Sequence, residues 1–465
     1  MKKWIFFLSC LFLIQVLFAQ TQLPTFFSDS MVLQQNTDAA FWGTDKPKSK
    51  IIITGSWGKT AQTVADSTGK WKLKLTTPMA GGPFEVVIKG TKIKTLKNVL
   101  IGEVWLCSGQ SNMEMPVKGY NNQPIIGSNE AILQSANNKI RVYHTPRAVS
   151  ITPLNDVKSN WKIADPYTTG NFSATAYFFA RKINAVLGIP VGIIQTSWGA
   201  SSVESWMDKE TLSAFPNKII PASKPDSMPQ QIPTIMFNGM LHPYIGFTIK
   251  GMIWYQGESN RNNANEYQAL FTAMINSWRK QWNQGDFSFY FVQIAPFEPG
   301  KINAAYLREA QLKTMLSVNN TGMVVTLDIG EKNIIHPAQK ETVGSRLAYW
   351  ALAKDYSLKG FAYSGPVYKS MQQLPNGRIS LKFDYAGLGL NSFGKPLNNF
   401  EVAGADSIFY PAQAVIVNDK TGLVNVWSDS VPKAFHVRYA FKNWAEASLF
   451  NIEGLPASSF RTDNW

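Results

Sequence analysis

Cysteine and histidine are scarce in this chain: 465 residues hold two of the first and four of the second. Cys10 lies in an apolar amino-terminal run and Cys107 stands alone in the rest. Once that run is removed no internal disulfide is available, and stability has to come from a packed core. His144, His242, His336 and His436 are scattered at no ligand spacing, so no zinc site is expected. Charged residues are sparse as well, at 16%, and lean to one sign: the formal net charge is +14, or +12 without Lys2 and Lys3. Much of the excess alternates with apolar residues, as in Lys70-Trp-Lys-Leu-Lys74, which is the pattern of solvated strand faces. No single basic stripe forms, so nucleic acid is not an expected partner. Attraction of an anionic glycan is compatible with the charge.

Long hydrophobic runs are missing with one exception. Residues 1 to 20 carry two lysines, an apolar stretch from Trp4 to Phe18 and a small residue at Ala19. This reads as a secretory signal peptide, and the stretch is shorter than the roughly 20 residues of a spanning helix. Cys10 is followed by Leu11-Phe-Leu13 and lacks the setting of a lipid-modified first residue. Export across the inner membrane to the periplasm, without a stable membrane anchor, is the expectation.

Three regions follow. Residues 21–98 hold short β-runs such as Lys50-Ile-Ile-Ile-Thr54 and Phe84-Glu-Val-Val-Ile88, separated by turn signals at Ser67-Thr-Gly69 and Gly81-Gly-Pro83, and read as an all-β domain. Residues 99–359 alternate strand-like runs (99–107, 190–196, 250–255, 287–294, 323–327) with helical periods at 174–184, 266–276 and 341–353. That alternation predicts an α/β domain with a largely parallel sheet, whose functional loops follow strand carboxyl ends. Residues 360–465 return to β-runs and read as a C-terminal β-rich unit.

Chemistry concentrates in four loops. Glu103-Val-Trp-Leu-Cys-Ser-Gly-Gln-Ser-Asn-Met-Glu-Met-Pro116 is an apolar strand that breaks into a small polar turn with Ser111 at its apex. Gly199, Gln256 and His336 follow in Ser197-Trp-Gly199, Trp254-Tyr-Gln-Gly-Glu-Ser-Asn260 and Ile335-His-Pro337. Acyl transfer needs a nucleophile, a base and donors for an oxyanion. Ser111, His336, and the Ser111 N–H, Gly199 N–H and Gln256 amide fill those roles, and this chemistry calls for no metal or organic cofactor. Singly, each has a plainer reading: a turn serine, a helix-entry histidine, a turn glycine. Trp198, Trp206 and Trp254 read more readily as core than as sugar platforms.

The serine motif lacks the second glycine of an α/β-hydrolase nucleophile elbow. It resembles instead the SGNH-type hydrolases and, within them, the sialate O-acetylesterase family. The resemblance rests on Gly109-Gln-Ser-Asn-Met-Glu-Met-Pro116, Thr196-Ser-Trp-Gly199, Phe237-Asn-Gly-Met-Leu-His-Pro243, Trp254 to Asn260, Ile335-His-Pro337 with Val343-Gly-Ser-Arg-Leu347, and the tail Glu453 to Asp463. It implies an SGNH-like α/β catalytic domain, Ser111 as nucleophile, His336 as base, Gly199 and Gln256 at the oxyanion, and an O-acetylated glycan, sialic acid first, as substrate. Acetylated xylan uses the same machinery, and a non-catalytic glycan-binding protein is the reading from another class.

One departure stands out. Relatives carry an acid two or three residues before the histidine, where this chain has Ile334 and Asn333. Asp328, Glu331 or a backbone carbonyl is left to orient the imidazole. Glu258 is expected to order the Gln256 loop, His242 is a candidate for substrate contact, and Arg261 is a candidate partner for a substrate carboxylate.

Overall fold

The computed structural model describes residues 20–417 and 421–465, so the segment expected to be a signal peptide lies, up to residue 19, outside the described residues. The organising element is strand β1 (Ile93–Gly109). Its first half alternates exposed and buried side chains and pairs antiparallel with Gly81–Lys89. From Val99 onward every residue is buried, as expected of a strand covered on both faces.

The central sheet adds β2 (Asn137–His144), β3 (Trp161–Ala164), β4 (Val191–Ser197), β5 (Gly251–Tyr255), β6 (Ser288–Val292) and β7 (Thr321–Val324) in the order β7-β6-β5-β1-β4-β2-β3. All neighbours run parallel except β2 and β3, so the sheet is mixed. Helices α1 (Ser111–Glu114), α2 (Ala174–Leu187), α3 (Ala264–Trp282), α4 (Ala305–Ser317) and α5 (Lys340–Lys354) complete the α/β region. The period of two along β1 divides the core. Val104 and Leu106 pack in one cluster with Leu270 and Phe271 of α3, whereas Trp105 and Cys107 pack in another with Phe178 of α2 and Val343 of α5. Among the described residues no helix is long and apolar enough to cross a membrane.

The flanking β regions do not stand apart as the sequence reading drew them. The boundary expected at 98/99 falls inside β1, which belongs to both sheets. Phe26 and Phe27 at the amino-terminal side and Val437 and Phe460 at the other belong to the same buried cluster as Trp254 and Phe271. The carboxy-terminal strands form two four-stranded sheets and one two-stranded sheet, and are tied to α4 by buried Arg308, which donates to Ser459 Oγ (3.1 Å) and the Ala440 carbonyl (3.2 Å). A shared core replaces three separate ones: apolar residues of each β region pack in one buried cluster with those of the central unit.

Candidate active site

Three adjacent strands, β5, β1 and β4, end at one edge of the sheet, and the loops that follow them carry Gln256, Ser111 and Gly199. Gly109 makes the exit of β1 possible: its φ is +141° and an added Cβ would fall 2.2 Å from the Tyr255 carbonyl oxygen. The chain then enters α1 with Ser111 as its first residue, where a backbone N–H has no intrahelical acceptor. His336 arrives from the loop between β7 and α5. Its Nε2 lies 2.7 Å from Ser111 Oγ. Both residues are only partly buried, so the pair meets solvent.

The other ring nitrogen settles the question left by the missing acid. His336 Nδ1 hydrogen-bonds Gln123 Oε1. An amide oxygen only accepts, so Nδ1 carries the proton and Nε2 is left as acceptor for the serine hydroxyl. Asp328 and Glu331 are committed elsewhere, which corrects the expectation that one of them orients the ring. Asp328 takes a bidentate pair from Arg346 of α5 (2.7 and 2.5 Å), and Glu331 accepts from the Ala338 N–H (2.9 Å), closing the loop that presents His336. Burial, and next the charge of Lys340, lower the His336 pKa from 6.5 to about 4, so the imidazole is a neutral base at ordinary pH.

The expected oxyanion donors fare differently. Gly199 does sit against the serine: an added Cβ would lie 3.4 Å from Ser111 Cβ. Its N–H, however, donates to Glu114 Oε2 (2.7 Å), and the other oxygen of that carboxylate holds Arg147 (2.7 and 3.0 Å), which lies over the Trp198 ring. Gln256 is fully buried and internally spent: Nε2 donates to the Ser201 carbonyl (3.0 Å) and Asn260 Oδ1 (2.7 Å), and Oε1 accepts from Tyr267 (2.9 Å). It braces the loops and has no amide hydrogen left for an oxyanion, a correction to the sequence expectation. Trp206 and Trp254 are core residues, and Trp198 is half-buried under Arg147.

His242 and Arg261 also find protein partners. His242 Nδ1 bonds the Leu154 carbonyl (2.7 Å), pinning the segment that carries Arg147. Arg261 turns back on its own loop, donating to the Glu258 carbonyl (3.2 Å) and lying over Phe297. Neither is placed at the serine by these contacts. Glu258 reaches the nucleophile turn itself: its Oε1 accepts from Asn112 Nδ2 at 2.6 Å. Sequence reasoning passed over Gln123, Glu114, Arg147 and Lys340. Glu114 lay inside the serine motif, while Gln123 and Arg147 sit in loops with no periodic signal.

A mixed sheet that delivers a serine and a neutral histidine to one solvent-facing edge is the framework of an ester hydrolase. Residues 101–353 match the family described as carbohydrate esterase, sialic acid-specific acetylesterase. The chain is 30% identical over 430 residues to the sialate O-acetylesterase of Mus musculus, covering 78% of this chain and 79% of that one. It is 30% identical over 408 residues to the human sialate O-acetylesterase, with 78% and 76% covered. Among solved structures, a carbohydrate acetylesterase from Xanthomonas citri superposes with a TM-score of 0.87 at 36% identity, covering 96% of this chain and all of that one. The chain belongs to the sialic acid-specific acetylesterase family and is a carboxylic ester hydrolase acting on acetylated carbohydrates.

Proposed function

We propose that the protein is an exported serine esterase that removes O-acetyl groups from sialic acid through an acetyl-enzyme, working in the periplasm after loss of its first 20 or so residues. The observation that carries the mechanism is the 2.7 Å contact between Ser111 Oγ and His336 Nε2. In this reading Ser111 Oγ attacks the acetyl carbonyl while His336 Nε2 takes the hydroxyl proton. Gln123 keeps the productive tautomer, and the Ser111 N–H faces the oxyanion. Gly199 joins it once Glu114 swings away, since one N–H serves one acceptor at a time. The tetrahedral intermediate collapses, His336 returns the proton to the departing sugar oxygen, and water, deprotonated by the same histidine, releases acetate and restores the serine. The relatives named sialate O-acetylesterase support the substrate.

A second reading, deacetylation of a neutral plant polysaccharide such as xylan, is favoured by one feature. Arg147, which lies over Trp198 next to Gly199, is already paired with Glu114, so this guanidinium is not free for a sialate carboxylate. Acetate release from O-acetylated sialic acid and from acetylated xylan, measured side by side for wild type and Ser111→Ala, separates these readings. The expected result is preference for sialate and a loss of at least about a thousand-fold in the variant. Preference for xylan moves the substrate, and an active Ser111→Ala removes the mechanism.

A further inference from the structure

Beneath the serine turn lies a buried polar cluster that the mechanism above does not use. Lys340, the first residue of α5 and four residues beyond His336, is 0% exposed. Its Nζ donates to Asn112 Oδ1 and lies 5.3 Å from the centre of the Tyr255 ring. The other end of the Asn112 amide donates to Glu258 Oε1 (2.6 Å) and to the Ile335 carbonyl (3.1 Å). One fully buried amide, carried by the residue after the nucleophile, therefore touches the residue before the base and two buried ionisable groups. Glu258 Oε2 and the Tyr255 hydroxyl have no partner among the described residues.

From this geometry we infer that Lys340 is a positioning residue for deacetylation: acting through Asn112 and balanced by Glu258, its ammonium fixes the serine turn against the histidine loop and sets the basicity of His336. A buried cation is costly, and here it is repaid by a hydrogen bond and a buried carboxylate rather than by water. The groups that face it are Glu258 on the Gln256 loop, Glu331 on the histidine loop, His336 itself and Tyr255 at the end of β5. Burial lowers the Lys340 pKa to about 7 against the raising effect of Glu258 and Glu331. Burial raises that of Glu258. The ammonium in turn adds to the lowering of His336.

The inference rests on the serine–histidine reading, and its test is the pH dependence of kcat/KM for acetate release by wild type, Lys340→Met, Lys340→Arg and Ser111→Ala. Lys340→Met is expected to lose on the order of tenfold in kcat with KM little changed. Its acid limb should move upward by roughly half a unit or more, the scale of removing a nearby like charge. Lys340→Arg, which keeps the charge, should leave that limb in place. Should Lys340→Met fail to fold, the pair Lys340→Met with Glu258→Gln removes both charges at similar volume and is read the same way. A limb that stays at the wild-type position in the Met variant, or that moves equally in the Arg variant, overturns the role of Lys340. Activity surviving Ser111→Ala overturns the mechanism beneath it, so the two failures are distinct.

Discussion

Gln123 is the residue on which the histidine turns. Most serine esterases place a carboxylate at Nδ1, where it both fixes the tautomer and stabilises the imidazolium that forms. A neutral amide does the first and not the second, which agrees with a His336 pKa lowered to about 4 by burial and Lys340. The sign is direct: the base is the neutral ring, which prevails above about pH 4, so kcat/KM should rise through that value and hold until Lys340, lowered to about 7, gives up its proton. Replacing Gln123 with Glu puts a charge beside Nδ1, favours the protonated ring and should drive the limb up toward the ordinary 6.5. The pH profile of the variant checks this, and an unmoved limb would mean that residue 123 does not face the ring in solution. Ser111 and His336 were legible because the chemistry needs both and each broke a local pattern. Gln123 was not, since nothing in Tyr120-Asn-Asn-Gln123 separates it from an ordinary polar turn.

Among the elements, the apolar strands announced themselves. Val99 to Cys107, interrupted only by Gly102 and Glu103, and the apolar run that follows Lys250, up to Tyr255, both became central strands, although the former is only part of a longer one. Strand β2 was missed because Asn137-Asn-Lys-Ile-Arg-Val-Tyr-His144 buries an arginine: Arg141 donates to the Ser30 carbonyl (2.9 Å) and Asn98 Oδ1 (3.0 Å), a tertiary use that no local pattern displays. Helix α4 was missed for a like reason, since it buries Arg308, Gln311 and Thr314 and so has little apolar stripe. The turn after β1 is where an element is least forgiving. Gly109→Ala adds a methyl 2.2 Å from the Tyr255 carbonyl at a φ that L side chains avoid, and should cost about 3 kcal/mol or more. Urea unfolding measures it. A loss below about 1 kcal/mol would mean that β5 gives way at little expense.

At the scale of the molecule, the regions expected as domains share one buried cluster. The sequence showed where β-rich and α/β rhythms change, but not that Phe26 and Phe460 would enter the same buried cluster as Phe271, because shared burial is a property of packing rather than of pattern. A chain ending at residue 359 would strip the cover from that cluster and leave the Arg308 guanidinium without its Ser459 and Ala440 partners. Such a truncation is expected to bind a hydrophobic dye and melt without a sharp transition, whereas a cooperative melt with full acetate release would refute the shared core.

Strand β1 runs for 17 residues, about 55 Å of extended chain, from the amino-terminal sheet to the nucleophile. From Val104 to Cys107 its side chains alternate between two filled cores, so losing or gaining a single residue there would trade Trp105 and Cys107 for Val104 and Leu106 and turn Ser111 away from His336. Any inserted tag or loop an engineer adds therefore has to fall outside residues 104–115: this segment works as a ruler, and the distance it measures out is part of the enzyme's chemistry.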